Sequence, residues 1–389
     1  MNAGARLAVD IGGTFTDVVL EHGGDQECFK LLTTPDAPES AVLEGIETIL
    51  QRSGVEAEDV ALVIHGTTLA TNALIERKGA HTALITTDGF RDSIEIAYEH
   101  RFEQYDLYME RPQPLIARDW RFSVPERIAA DGSVLLDLDE AALRALAEKL
   151  GKTDIEAVAV CFLHSYVNPE HERRAGEILA EALPGVSITL SAEVCPEIRE
   201  YDRMSTACAN AYVQPMMAGY LNRLQGGLLS GGITCPLLLM MSSGGVTTVD
   251  TAVRLPIRLV ESGPAGGAIL AREIAKENDL RKALSFDMGG TTAKITLIDD
   301  FQPQIGRSFE VARMSRFLKG SGLPLRIPAI EMVEIGAGGG SIAAVDNMRR
   351  IHVGPESAGS VPGPACYGNG GTAATVTDAD TVLGRIDPS

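Results

Sequence analysis

Two eight-residue segments carry the residue types best suited to chemistry. Asp10-Ile-Gly-Gly-Thr-Phe-Thr-Asp17 and Asp287-Met-Gly-Gly-Thr-Thr-Ala-Lys294 share Asp, Gly, Gly and Thr at positions one, three, four and five. Adjacent glycines reach dihedrals closed to other residues and bring bare N–H groups against an anion. A threonine hydroxyl adds a neutral donor. Gly12, Gly13, Thr14 and Thr16 therefore read as one phosphate cradle. Gly289, Gly290, Thr291, Thr292 and Lys294 read as a second. A carboxylate repels phosphate but suits a magnesium ion held through water, or the orientation of a nucleophile. Asp10, Asp17 and Asp287 are the candidate catalytic groups, with Asp10 and Asp287 the candidate Mg2+ contacts. One such segment alone would be an ordinary glycine hairpin. Two copies with matched flanks favour phosphate, and together they are expected to clamp one triphosphate.

Each segment needs a strand on either side. Short apolar runs at 7–9 and 18–20 flank the first turn, and 283–286 and 295–298 flank the second. Beyond the first hairpin, Pro38, an apolar face of Val42, Ile46, Ile49 and Leu50, and Gly54 predict a helix over 38–53. Strands are expected at 61–65 and 82–86, with a helix over 67–77 between them. A helix over 139–150 stops at Gly151. The continuously apolar run 157–163 reads as a strand covered on both faces, and Asn168-Pro169 opens a helix toward Leu183. Residues 99–131 show no period and read as a loop or insertion. A helix is expected from the glycines at 263–267 toward Ala275. Ten glycines between 336 and 371 exclude a long helix or regular sheet and suggest loops lining a site. This is α/β grammar, and the opening hairpin excludes a purely parallel sheet.

The chain has 389 residues, 45% hydrophobic and 22% charged, so a folded protein of two or three domains is expected. Its 53 acidic against 34 basic residues give a net charge of −19, which argues against nucleic-acid partners. No run of about 18 apolar residues suggests a membrane span. The polar glycine loop follows Leu7 almost at once, so no signal peptide is expected. Six scattered cysteines form no C-x-x-C pair, so a reducing cytoplasm is expected.

The double turn resembles the ATPase superfamily of actin, sugar kinases and heat-shock chaperones. The finer text resembles one branch, the hydantoinase A and 5-oxoprolinase family. The matching segments run from VDIGGTFTDVVL (9–20) through HGTTLATNALIERKG (65–79), TDGFRDSIEI (87–96), VPERI (124–128) and LHSYVNPEHE (163–172). They continue with SGPAGG (262–267), FDMGGTTAK (286–294), EIGAGGGSIA (334–343) and VGPESAGSVPGPACYGNGG (353–371). The resemblance implies two ribonuclease-H-like α/β lobes, the second incomplete. They divide into a first lobe over 1–200, a connecting region over 201–282 and a partial second lobe over 283–389. It implies ATP and Mg2+, a small cyclic-amide substrate opened by phosphorylation of the amide oxygen, a B-type partner subunit and an oligomer. Related members phosphorylate ketones for carboxylation; a scaffold that binds nucleotide without turnover and a small-molecule kinase are the other readings. Where many members carry a late acidic residue in the second turn, this chain has Ala293-Lys294. Members usually run several hundred residues further, and the adenosine-holding glycine motif is expected beyond Ser389, so the chain reads as C-terminally truncated.

Further candidates follow from position. His65, Thr67 and Thr68, where a strand gives way to a helix, are the substrate candidates; a helix cap is the plain alternative. Gly338 and Gly339 offer N–H groups to nucleotide or substrate. Cys161, His164 and His171 read as structural rather than metal-binding. Cys366 reads as a packed thiol, because no base is nearby in sequence. Arg91, Arg101 and Arg111 read as solvated. Lys152 and Thr153 lack the glycine that a P-loop requires.

Overall fold

In the computed structural model of the protein, residues 4–387 are described, except 14, 35, 100, 291, 315–317 and 360. The chain forms two compact units: one of residues 1–263 and 306–329, the other of 264–305 and 330–389.

The first unit opens with three antiparallel strands, β1 (Ala5–Ile11), β2 (Phe15–His22) and β3 (Asp25–Leu32). Alternation in β1 buries Ala5, Leu7, Val9 and Ile11 on one face and leaves Asp10 on the other. Helix α1 (Pro38–Ser53) has proline in its first turn and ends at Gly54. Gly54 takes φ +68° and returns its N–H to Leu50 O, so both sequence signals act as read. Its Val42, Ile46 and Ile49 seal the inner face of the sheet, each buried side chain contributing roughly 1.5–3 kcal/mol.

Strand β4 (Val60–Thr67) runs parallel to β1 and is followed by α2 (Leu69–Ile75). β5 (Thr82–Thr87) starts a second sheet with β6 (Arg121–Val124), β7 (Ala157–Cys161) and β8 (Ser187–Leu190), all parallel. Helices α3 (Glu140–Leu150) and α4 (Glu170–Ala182) supply Leu143, Ala147, Leu150, Ile178 and Leu179 to its core. Asp139 caps α3 by accepting the Ala142 N–H at 2.9 Å. Every residue of β7 is buried, as the apolar run requires. β6 lies in the region read as loop or insertion. Its four residues are too few for a period to show, and pairing with β5 rather than local pattern makes them a strand.

The long helix α5 (Glu200–Ser230) joins the two sheets of this unit. Met204, Ala207, Cys208 and Ala211 pack with the second sheet, while Val213, Met217, Tyr220 and Leu224 enter the core of the first. β9 (Leu237–Met240) pairs parallel with β4, and β10 (Val246–Thr248) completes the order β10-β9-β4-β1-β2-β3. Residues 306–329 return to this unit. Arg326 reaches Asp202 at 2.9 Å and Glu197 at 3.1 Å, and Leu323, Leu325 and Ile327 are buried.

These contacts correct the expected division at 200 and 282. A helix shared by two cores cannot be a connector, and the break falls at Gly263 instead. Helix α6 (Ser262–Glu277) begins at that break.

The second unit holds β11 (Lys282–Met288) and β12 (Ala293–Asp299), an antiparallel hairpin extended by β13 (Gln302–Pro303) and β14 (Val333–Ile335). The glycine-rich stretch is not loop throughout. It contains a two-stranded ribbon, β15 (Ser341–Val345) and β16 (Ile351–Ser357), followed by α7 (Val376–Val382). The glycines cluster outside these strands, which is why their density hid the ribbon.

Candidate functional site

The two repeated segments fold alike. In the first, Asp10 stands opposite Asp17 and Ile11 opposite Thr16, and the Gly12 N–H donates to Phe15 O at 2.9 Å. In the second, Asp287 stands opposite Lys294 and Met288 opposite Ala293, and the Gly289 N–H donates to Thr292 O at 2.9 Å. The third position of each segment thus closes the hairpin. The fourth, Gly13 or Gly290, makes no backbone N–H hydrogen bond among the described residues. An N–H left over beside a carboxylate-bearing strand end is a donor that an anion can take. Thr14 and Thr291 lie outside the described residues.

The first turn is braced from beneath. Thr33 Oγ1 donates to Gly12 O at 3.0 Å and lies 3.0 Å from Thr16 Oγ1. Thr16 is fully buried, so its hydroxyl supports the turn and does not face a ligand. Asp17 is half-exposed and ion-paired with Lys30 at 2.6 Å, one strand further along the same row. That pairing gives Asp17 a surface role, whereas Asp10, itself exposed, stands beside Gly66 and Gly263.

Asp10 sits at the carboxyl end of β1, level with Gly66 of the parallel β4. A Cβ on Gly66 would stand 2.8 Å from Asp10 Oδ1, and one on Gly263 would stand 3.5 Å from it. Two bare Cα atoms therefore make the room this carboxylate occupies. The chain at 261–263 is pinned there. The Glu261 N–H donates to Thr71 Oγ1 at 3.0 Å, Ser262 Oγ donates to Thr67 O at 3.0 Å, and Thr67 N–H donates back to Ser262 Oγ at 3.4 Å. Glu261 holds φ +63°, a conformation costing a non-glycine residue on the order of 1 kcal/mol.

His65 is interior rather than substrate-facing. It is 1% exposed, with Nδ1 3.1 Å from Val9 O and Nε2 2.6 Å from the Tyr220 hydroxyl. Val9 O can only accept, so Nδ1 carries the proton and Nε2 accepts from Tyr220. Burial pushes the imidazole down to about 4, partly opposed by the Val9 carbonyl, so it is neutral at pH 7. Thr67 is buried, its hydroxyl accepting the Leu69 N–H at 3.1 Å. Thr68 donates through N–H and Oγ1 to Ile11 O, both at 3.2 Å, tying the start of α2 to the first turn. Asn72 Nδ2 lies 3.4 Å from Thr68 Oγ1 and 3.7 Å from where a Cβ on Gly13 would be. Sequence alone gives no site role to Gly66, Asn72, Glu261 or Gly263, although all but Glu261 lie in the segments that carry the family resemblance. Nor does it single out Ser242-Ser243-Gly244-Gly245, which follows β9 at the same sheet edge as Asp10 and repeats the pattern of an apolar strand followed by paired glycines.

In the second unit the glycine-rich stretch grips the second turn. The Gly339 N–H donates to Gly289 O at 2.9 Å and the Gly340 N–H to Gly290 O at 2.7 Å. A Cβ on Gly340 would stand 3.0 Å from Gly290 O and 2.9 Å from Ser357 Oγ, so only glycine fits this approach. The Gly338 N–H donates to Ser341 Oγ at 2.9 Å. Gly339 is thus occupied in holding the turn, and Gly338 in closing its own loop onto Ser341. Thr377 N–H donates to Gly339 O at 2.8 Å, and Thr375 and Asp378 form a capping box that fixes α7 beneath it.

Among the described residues no group of three or more His, Cys, Asp or Glu could hold a metal. A protein-only cage is therefore absent from them. A magnesium ion usually keeps waters and takes one or two carboxylates plus phosphate oxygens, and exposed Asp10 and Asp287 at their turns fit that manner of binding. Among the described residues no helix is long and apolar enough to cross a membrane.

Paired glycine hairpins on mixed α/β sheets give the chain the α/β lobe fold of the actin-like superfamily. The chain belongs to the hydantoinase/oxoprolinase family: its residues 6–183 match the hydantoinase/oxoprolinase N-terminal region and 203–389 match hydantoinase/oxoprolinase. It is 38% identical to the caprolactamase subunit alpha of Pseudomonas jessenii, over 98% of this chain and 54% of that protein. It is 33% identical to the acetophenone carboxylase gamma subunit of Aromatoleum aromaticum, over 98% of this chain and 53% of that one. The crystal structure of the ATP-dependent caprolactamase from Pseudomonas jessenii superposes with a TM-score of 0.82 at 36% identity, covering 98% of this chain and 55% of that one. The chain spans about half the length of these relatives.

Proposed function

We propose that the chain binds ATP through its two glycine turns and uses it to open a cyclic amide. The observation that carries this reading is the Asp10 carboxylate, set between two bare glycines at the end of a phosphate-type hairpin. The relatives' names, an ATP-dependent caprolactamase among them, support the same chemistry.

An amide carbon is a poor electrophile because nitrogen donates into the carbonyl. Transfer of the γ-phosphoryl group to the amide oxygen breaks that donation and makes the carbon open to water. Water attack at that carbon gives a tetrahedral adduct that expels the protonated ring nitrogen, breaking the C–N bond and leaving an acyl phosphate. A second water then attacks the acyl carbon and releases phosphate, so that a lactam becomes a chain with a carboxylate at one end and an amine at the other. The Gly13 and Gly290 N–H groups orient phosphate oxygens, and Lys294 offers a cation beside the second turn. Asp10 orients or deprotonates the attacking group. Magnesium, when bound, would spread the charge developing on the phosphates. Thr68 and Asn72 border the first turn and are better placed than His65 to meet substrate.

A second reading, phosphorylation of a ketone for carboxylation, has the acetophenone carboxylase gamma subunit in its favour. The named relatives are subunits, so a B-type partner and an oligomer belong to either reading. ATP hydrolysis measured with hydantoin, 5-oxoproline, caprolactam, or a ketone plus bicarbonate separates them. Stimulation by a cyclic amide supports the first reading, stimulation only by ketone and bicarbonate the second. Nucleotide binding without turnover leaves a scaffold.

A further inference from the structure

The segment 163–172 has no part in the chemistry above, yet it lines a cavity of about 220 Å³ in the first unit. The cavity lies outside the carboxyl ends of β7 and β8 in the parallel sheet, the edge at which open α/β sheets take ligands. Its lining includes Ser165, Tyr166, Glu172, Arg173 and Glu193. Ser165 is 2% exposed and Glu172 is fully buried.

Glu172 is built in. Its Oε1 accepts from the Phe162 N–H at 2.8 Å and Ser191 Oγ at 2.6 Å, and its Oε2 accepts from the Ala192 N–H at 2.8 Å. Arg203, buried behind this wall, donates to Ser191 Oγ at 3.1 Å and stacks 5.5 Å from the Tyr166 ring centre. The wall is therefore rigid and its charge is balanced from the inside.

The rim is different. Arg174 is ion-paired with Glu140 at 2.7 Å and Glu177 at 2.9 Å. Its neighbour Arg173 has no side-chain partner among the described residues, and neither has Glu193. A cation and an anion thus line one cavity without pairing with each other. Opposite charges held apart on a preformed pocket fit a molecule that carries both.

We infer that this cavity binds a small zwitterion, with its carboxylate on Arg173 and its ammonium on Glu193, separate from the glycine turns. Resting on the function proposed above, the ligand class is the ring-opened amino acid, since opening a lactam frees an ammonium that the closed ring lacks. A closed lactam offers Glu193 no cation, so the cavity distinguishes product from substrate.

Calorimetric titration of the chain without ATP tests this, using 6-aminohexanoate and glutamate as probes. Caprolactam, hexanoate and hexylamine serve as controls lacking one or both charges. Arg173→Ala and Glu193→Gln change exposed side chains, and unchanged melting curves verify their fold. Saturable binding of a zwitterion, weakened about ten-fold or more by each substitution and by loss of either ligand charge, is the expected result. No saturable binding to the folded chain, or binding indifferent to both substitutions, overturns the inference. Turnover with a cyclic amide but no zwitterion binding defeats this inference alone; zwitterion binding without such turnover defeats the functional reading alone.

Discussion

The Asp10 carboxylate fills the space that a side chain at Gly66 would need, with its Oδ1 2.8 Å from that missing Cβ. The two residues are register partners on parallel strands, so neither can move without disturbing the ladder between them. The strand end is in this sense built around one carboxylate.

Gly66→Ala therefore displaces Asp10 while leaving the core intact. Steady-state ATP hydrolysis should fall about 100-fold, since a misplacement near 1 Å has that effect on an oriented group. Circular dichroism should show a cooperative transition within a few degrees of the parent. A variant with unchanged turnover would show that the Asp10 position is not critical.

Asp10→Ala and Asp287→Ala should each lower turnover about 100-fold or more with little loss of fold, because both residues are exposed. Asp17→Ala should have a much smaller effect. Its partner Lys30 is half-exposed, and such pairs contribute no more than about 1 kcal/mol. Equal losses at all three positions would undo the distinction drawn between Asp10 and Asp17.

Much of this was legible because local chemistry decided it. Pro38 and Gly54 bracket α1 by their own dihedrals, and the glycine hairpins need no distant partner to form. What escaped the sequence depends on distant contacts. His65 looks the same in a site or in a core until Tyr220, on α5, takes its Nε2. Thr16 looks like a phosphate donor until Thr33 is seen beneath it. β6 becomes a strand only by pairing with β5, and residues 306–329 rejoin the first unit through Arg326. Gly66 is the clearest loss: a glycine that makes room for another residue's carboxylate has no sequence signature.

His65 also predicts a pH dependence. Its folded value of about 4 lies below the ordinary histidine value, so between about 6.5 and 4 the unfolded chain binds the extra proton. Stability should be full above pH 6.5 and decline as pH falls toward 4, by roughly 3 kcal/mol from this group. Urea unfolding across that range measures it. His65→Asn should be less stable at pH 7 and show a shallower acid slope; an unchanged slope would mean that another group controls it.

Thr375→Ala removes the hydroxyl that caps α7 beneath the Gly339 loop. A loss of about 1 kcal/mol is expected, read as faster hydrogen exchange at Gly339 and Gly340. Although burial opposes it, hydrogen bonds from the Cys366 N–H and from Thr375 hold the Asp378 carboxyl well below the ordinary carboxylate value. The support it gives should therefore persist at neutral and mildly acid pH and be lost only in strong acid. Unchanged exchange in the Thr375 variant would detach α7 from the turn.

The most direct test follows the amide oxygen. With a cyclic amide labelled with oxygen-18 at its carbonyl, phosphoryl transfer to that oxygen and attack of water at carbon place the label in inorganic phosphate. Phosphorus NMR of the products should show labelled phosphate in proportion to ring opening, and neither product with Asp10→Ala. Label found only in the new carboxylate, or ring opening without ATP, would contradict phosphoryl activation at this site.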